Sequence, residues 1–179
     1  MPLPASIAAL GPVMQLAFIP RDLEAALNFW TRTMGVGPFF HFAHIRYERA
    51  QYLGAPTAID FSVHIAQWGP VQIELVSQHC DTPSVYKSFL DAGHDGLHHV
   101  CISVPDIAAA RRACAAAGAP ILFEVSLGGT EAFYADPGGG PGTLVEIVQP
   151  APPLVFAFAM IADAARDWDG KDPVRGFPG

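Results

Sequence analysis

The sequence predicts an α+β fold in which two tandem βαβββ modules build a curved, barrel-like mixed sheet around a central site, followed by a helical tail. Three observations predict it. The chain repeats itself: Gln15-Leu16-Ala17-Phe18-Ile19-Pro20-Arg21-Asp22 before Leu23-Glu24-Ala25-Ala26 is answered by His99-Val100-Cys101-Ile102-Ser103-Val104-Pro105-Asp106 before Ile107-Ala108-Ala109-Ala110. In each copy an Asp follows the opening polar residue by the same interval (22 − 15 = 7; 106 − 99 = 7). Each copy then ends in a near-identical apolar segment, Val71-Gln72-Ile73-Glu74-Leu75-Val76 and Thr143-Leu144-Val145-Glu146-Ile147-Val148. Inside both copies the apolar period changes from that of a strand to that of a helix. A repeat of this length fixes the architecture before any single element is assigned.

The elements follow in order. Residues 13–20 are short and apolar and end at a proline, which suits a buried strand. Asp22 is placed to cap a helix, accepting from the free amides of its first turn. Leu23, Ala26, Leu27 and Trp30 then fall on one helical face, and Gly35 supplies the left-handed stop. Strands are predicted at 39–47, 59–67 and 71–76, with Trp68-Gly69-Pro70 as hairpin punctuation. A linker over 78–96 carries a helical turn near 85–90. The second copy runs as strand 100–104, cap Asp106, a helix burying Ile107, Ala110 and Cys114, stop Gly118, and strands 121–125, 131–135 and 144–148. The glycine cluster at 138–142 is read as a hairpin. It precedes no helix, so its amides make no phosphate cradle. The first module is thus 13–77 and the second 97–150, together one domain. The tail, 151–179, is read as a helix over 154–167 and a loose end beyond Gly170.

Composition narrows the function. Ten basic against seventeen acidic residues give a net charge of −7, which argues against nucleic acid or an anionic membrane as partner. The three cysteines, Cys80, Cys101 and Cys114, are odd in number and unpatterned, as in a reducing cytoplasm. Residues 1–12 lack the pattern of a signal peptide, and no apolar run reaches the ~20 residues of a membrane span. A cytoplasmic protein is expected. The tail's Leu154, Phe156, Phe158, Met160 and Ile161 are too apolar to stay in water and are expected to cover the sheet or a partner subunit, which makes a homodimer the expectation.

Four polar residues stand at repeat-equivalent places: Gln15 and His99 on the first strands, Glu74 and Glu146 on the last. Strand alternation turns each away from its module's helix. If the modules pack about a pseudo-twofold, the four converge, and two enclosed carboxylates repel unless a cation or proton lies between them. One divalent metal ion (Zn, Co, Ni or Mn) held by one imidazole nitrogen and three oxygen donors answers that repulsion. His98 is the neighbouring imidazole on the wrong face, and an alternative ligand. Among the aromatics, Phe40 and Phe42, with Phe39 and Tyr47, are candidate pocket lining. His41 and His44 are read as pocket wall, and Tyr134 as a pocket hydroxyl.

These motifs, His98-His99-Val100-Cys101-Ile102-Ser103-Val104-Pro105-Asp106, the helix at 21–30 and the segment from Phe133 to Val148, resemble the vicinal oxygen chelate superfamily, the glyoxalase and bleomycin-resistance fold, over residues 13–149. The resemblance implies that Gln15, Glu74, His99 and Glu146 carry the metal. It is closest in pattern to methylmalonyl-CoA epimerase and glyoxalase I. The two-histidine, one-carboxylate set of the extradiol dioxygenases is absent, which counts against a dioxygenase. Glyoxalase I holds glutathione with arginines at places where this chain has Ile19 and Asp95, which counts against a lyase of that type. Gln15 departs from the histidine usual in the epimerases. The activity implied is proton abstraction next to a carbonyl, of the epimerase or isomerase type, on an acyl-CoA or small carbonyl acid. Glu146 is the first choice for base and Glu74 for the opposing group; a carboxylate held tightly by the metal cannot also be a free base. The rival reading is a metal-free small-molecule binding or resistance protein with an open aromatic groove.

Overall fold

The computed structural model describes residues 6–177, so the first five residues of the N-terminal stretch lie outside it. The first module contains β1 (Gln15–Ile19), α1 (Leu23–Asn28) and β2 (Phe39–Ile45). It continues through a short hairpin, β3 (Arg49–Tyr52) and β4 (Ala55–Pro56), to β5 (Phe61–Trp68) and β6 (Val71–Gln78). After α2 (Val85–Asp91) come β7 (Gly96–Ser103), α3 (Ile107–Ala116), β8 (Ile121–Leu127), β9 (Thr130–Ala135) and β10 (Leu144–Gln149). The chain then forms α4 (Pro152–Ala165) and β11 (Val174–Gly176). The eleven strands make one curved, open sheet in the order β11-β2-β5-β6-β1-β7-β10-β9-β8-β3-β4.

Local chemistry sets the helices as the sequence suggests. Asp22 accepts from the Ala25 amide and Asp106 from the Ala109 amide, each at 2.9 Å. Gly35 and Gly118 take φ of 68° and 73°, where a Cβ would be strained. α1 passes into a π-helical turn, Phe29–Thr33, that sets Trp30 against Phe39, Ala66, Ile73 and Leu75. α3 buries Ile107, Ala110 and Cys114 against Phe133, Val145 and Ile147. Both helices therefore cover the same kind of face, and the opposite face of the sheet is free to form a cavity.

Two elements differ from expectation. The β3–β4 hairpin leaves its own module and pairs with β8 of the other, Ala50 opposite Val125 and Tyr52 opposite Phe123. The tail beyond Gly170 is not loose. β11 adds to β2 in parallel, and the Phe39 amide donates to the Pro173 carbonyl at 2.8 Å. Trp168 packs so closely on Gly37 that a Cβ there would sit 2.7 Å from the indole. α4 turns Ala157 and Ile161 inward and leaves Val155 and Phe156 exposed. Among the described residues no helix is long and apolar enough to cross a membrane.

Candidate active site

Register across the four central strands, β6-β1-β7-β10, builds the site. Gln15 lies opposite Gln72 on one side and Cys101 on the other, and Cys101 lies opposite Glu146. One pleat along, Ala17 lies opposite Glu74 and His99. The two rows are related by the repeat. Gln15 and His99 stand diagonally at the centre, each module's Glu stands at the flank, and a small residue, Ala17 or Cys101, occupies the remaining central place. Ala17 is wholly buried, and its lack of bulk is what lets Glu74 approach His99 across β1.

Gln15, Glu74 and Glu146 line a cavity of about 420 Å³, and His99, fully buried, lies beside the two carboxylates without lining the cavity itself. His99 Nε2 lies 3.3 Å from Glu146 Oε2 and 3.7 Å from Glu74 Oε2. Despite these approaches, Nε2 is fully buried and makes no hydrogen bond. Its proton state follows from its neighbours. His98 Nε2 lies 3.1 Å from the Val85 carbonyl, which can only accept, so that nitrogen carries the proton. Burial, and then the charge of His99, push His98 down to about 3, so it is neutral and its Nδ1 is an acceptor. His99 Nδ1, at 2.8 Å, therefore donates to it. This tautomer is assigned from the hydrogen-bond network. In the neutral imidazole it leaves the Nε2 lone pair facing two carboxylates.

That arrangement is repulsive on its own and matches what a cation needs. Two ligands on one tetrahedral ion with bonds of about 2.1 Å lie roughly 3.4 Å apart, close to the two His99 separations. The outward nitrogen of His99 is fixed by a hydrogen bond, as metal-binding imidazoles commonly are. Gln15 donates from Nε2 to Gln72 Oε1 at 3.1 Å, which leaves its own amide oxygen as the end available to the cavity. Among the described residues no three His, Cys, Asp or Glu side chains stand close enough together to hold a metal ion by themselves. A divalent ion here would draw on the His99 nitrogen, carboxylate oxygens of Glu74 and Glu146, and the Gln15 amide oxygen.

Burial, and then the charge of Glu146, raise Glu74 well above the usual carboxylate range. Three phenols stand beside the pair. Tyr86 and Tyr134 bring their hydroxyls within 2.6 Å of each other, and Tyr134 packs edge-on against His99. Tyr47 lines the same wall. Burial, ahead of any neighbouring charge, raises all three phenols and keeps them as neutral donors. Cys101 is raised by burial and by Glu146 and is no nucleophile.

Phe42 and Tyr134 line the cavity, and Phe40 does not. It is buried in the core behind Phe177, its ring centroid 6.1 Å away. His41 and His44 also leave the predicted wall. His41 stacks on His64 with centroids 4.2 Å apart, and His44 bonds Asp60 at 3.0 Å. The register shift between Phe42 and Ile45, with His44 at φ 50°, resets the alternation and hands the wall to Ile45 and Tyr47. His98 is the orienting partner of His99. Sequence reasoning passed over Tyr86, whose signal is its place beside Val85 in the linker helix, and Phe177, which has no local signal.

A family model described as the Glyoxalase/Bleomycin resistance protein/Dioxygenase superfamily matches residues 14–135. The chain belongs to this superfamily. Solved members of similar fold include methylmalonyl-CoA epimerase from Mycobacterium tuberculosis, 20% identical, covering 86% of this chain and 96% of its own, with a TM-score of 0.55. A Streptomyces coelicolor methylmalonyl-CoA epimerase variant, in complex with 2-nitronate-propionyl-CoA, is 19% identical, covering 80% of this chain and 96% of its own, TM-score 0.52. A hypothetical protein from Bacillus halodurans is 16% identical, covering 78% and 94%, TM-score 0.53. At these identities the superfamily fold is what they share with this chain. No curated protein matches it in sequence.

Proposed function

We propose that this chain is a divalent-metal-dependent enzyme of the epimerase or isomerase type that removes and returns a proton next to a carbonyl. The carrying observation is the buried, unpartnered His99 Nε2 presented to Glu74 and Glu146. Gln15, His99 and the two glutamates would hold the ion, which when bound stabilises negative charge developing on a carbonyl oxygen. Glu146 reaches the cavity from β10 and acts as the base in the state in which it is released from the ion. Glu74 reaches it from β6, on the other flank of His99, and returns a proton to the opposite face. The phenols of Tyr86 and Tyr134 donate to substrate oxygens and keep water out.

The names of the solved neighbours suggest an acyl-CoA, while the cavity volume favours a smaller carbonyl compound. The protein is proposed to act as a cytoplasmic homodimer, with 13–77 and 97–150 as its two modules. The test is solvent exchange. Protein reconstituted with Co, Ni, Mn or Zn should move deuterium from D2O into the α-position of a bound carbonyl compound, and Glu146→Gln should lower that rate at least a hundredfold. Equal exchange in both proteins rules out Glu146 as base. The aromatic lining favours a second reading, a metal-free binding protein; ligand binding unchanged by metal, with no exchange, would establish it.

A further inference from the structure

The walls of the cavity carry information about the ligand that the carboxylates do not. They are formed by Phe42, Phe61, Ile65 and Val63 of the sheet, by Leu154 and Phe158 of α4, and by Phe177 after β11. Among the described residues no lysine, arginine or histidine lines it. The polar lining groups other than Glu74 and Glu146 are neutral: the Gln15 amide, three phenols, Cys101, Ser126 and Thr130. The charge count then has a definite sign. With both carboxylates ionised, a divalent ion cancels their charge, and without an ion the site is anionic. In neither state is positive charge left over for a ligand's own carboxylate or phosphate. Burying such an anion unpaired is costly, and the two glutamates add repulsion.

Arginines beside lining residues in sequence are engaged elsewhere. Arg46, next to Tyr47, bonds Asp60 at 3.2 Å. Arg175, two residues before Phe177, donates to the carbonyls of Asp172 and Lys171. The apolar contribution of α4 and Phe177 comes from a segment outside the residues matched by the family model, 14–135. It is held in place by Trp168 on Gly37, by β11 on β2, and by Phe177 stacked on Phe42 with centroids 4.6 Å apart.

We propose that the ligand of this cavity is an uncharged, predominantly apolar carbonyl compound, bound through its carbonyl at the end lined by Gln15, Glu74 and Glu146 and through hydrocarbon or aromatic groups against α4 and Phe177. Neither an acyl-CoA nor a carboxylic acid is the substrate class. The volume, about 420 Å³, lies in the range of sites for drug-sized molecules. This class rests on the proton-transfer reading only for the fate of the ligand, not for its binding.

The experiment is titration calorimetry of the full-length, metal-reconstituted protein with a matched pair: phenylacetone, and phenylpyruvate, in which a carboxylate replaces the methyl group. Methylmalonyl-CoA is the third probe. Phenylacetone should bind at least tenfold more tightly than either anion. Leu154→Arg, which adds a cation at a partly exposed wall position, should reverse the order of the pair. Phenylpyruvate or methylmalonyl-CoA binding the parent as tightly as phenylacetone overturns the proposal, as does no binding of phenylacetone at millimolar concentration. Deuterium exchange on the same samples separates the two readings. Phenylacetone bound without exchange defeats the proton-transfer reading and leaves the ligand class standing. Exchange confined to methylmalonyl-CoA does the reverse.

Discussion

Replacing His98 by Phe removes both ends of the imidazole relay while nearly keeping the size of the ring. The Val85 carbonyl loses one of its donors but keeps the Ser88 hydroxyl at 3.2 Å, whereas His99 Nδ1–H loses its acceptor in buried surroundings. A buried polar group left unpaired costs about 1–3 kcal/mol, so the loss at His99 destabilises the fold by about that much, offset in part by the added apolar contact. The larger consequence is for His99, whose Nε2 lone pair is no longer dictated by a neighbour. Losing such an outer partner typically weakens metal binding about 10–100-fold. His98→Gln, which can accept at one end of its amide and donate at the other, should recover part of that loss. Chelator-competition titrations with Zn and Co near neutral pH measure the affinities, and thermal unfolding confirms that each variant is folded. ¹⁵N-histidine spectra of the metal-free parent should show His99 protonated at Nδ1. A folded His98→Phe protein that binds metal as tightly as the parent, or a parent with its His99 proton on Nε2, would refute the relay.

Ala17→Leu fills the place over which Glu74 meets His99; it should cost about 1–3 kcal/mol in urea unfolding and abolish metal uptake, whereas unaltered uptake would mean that the carboxylates do not converge there. His64 is held down to about 4 by burial and then by the His41 stacked on it. The unfolded chain takes up that proton near pH 6.5 and the folded chain only near 4, so its contribution is full above 6.5 and lost as the pH falls through this window. The loss is of order 3 kcal/mol, and His64→Leu should flatten its share of the slope in unfolding curves measured across that range. Gly37→Ala drives a methyl group into Trp168; it should raise proteolytic cleavage between α4 and β11 and weaken phenylacetone binding several-fold, and unchanged proteolysis would show that Trp168 does not anchor the tail.

The parts legible in the sequence are those set by local rules or by the repeat. Asp22 and Asp106 cap their helices because a short carboxylate before an apolar face has little else to do. Gln15, Glu74, His99 and Glu146 could be grouped because the repeat puts them on equivalent pleats, and alternation gives each a face. The rest depends on pairing between distant strands. Nothing local in the residues of β3 says that their partner is β8, and nothing near Val174 says that it will join β2. Phe40 and Phe42 share a face of β2, yet only Phe42 reaches the cavity, because Phe177 covers Phe40. Ordinary alternation turns His41 away from Phe42, the register shift after Phe42 resets the face of His44, and a bulge of that kind leaves no mark in a composition pattern. His98 was legible as a neighbour of the site but not as its orienting group, since that role depends on where α2 sets the Val85 carbonyl.

The central claim is that His99 Nε2 and the two glutamates, with Gln15, hold a divalent ion. Metal content by plasma mass spectrometry, on untagged protein prepared without chelator and on its Glu146→Ala variant, tests it most directly. About one ion per chain in the parent, and little in the variant, is the predicted result. No ion in the parent, even after incubation with Zn, Co, Ni and Mn, would contradict it.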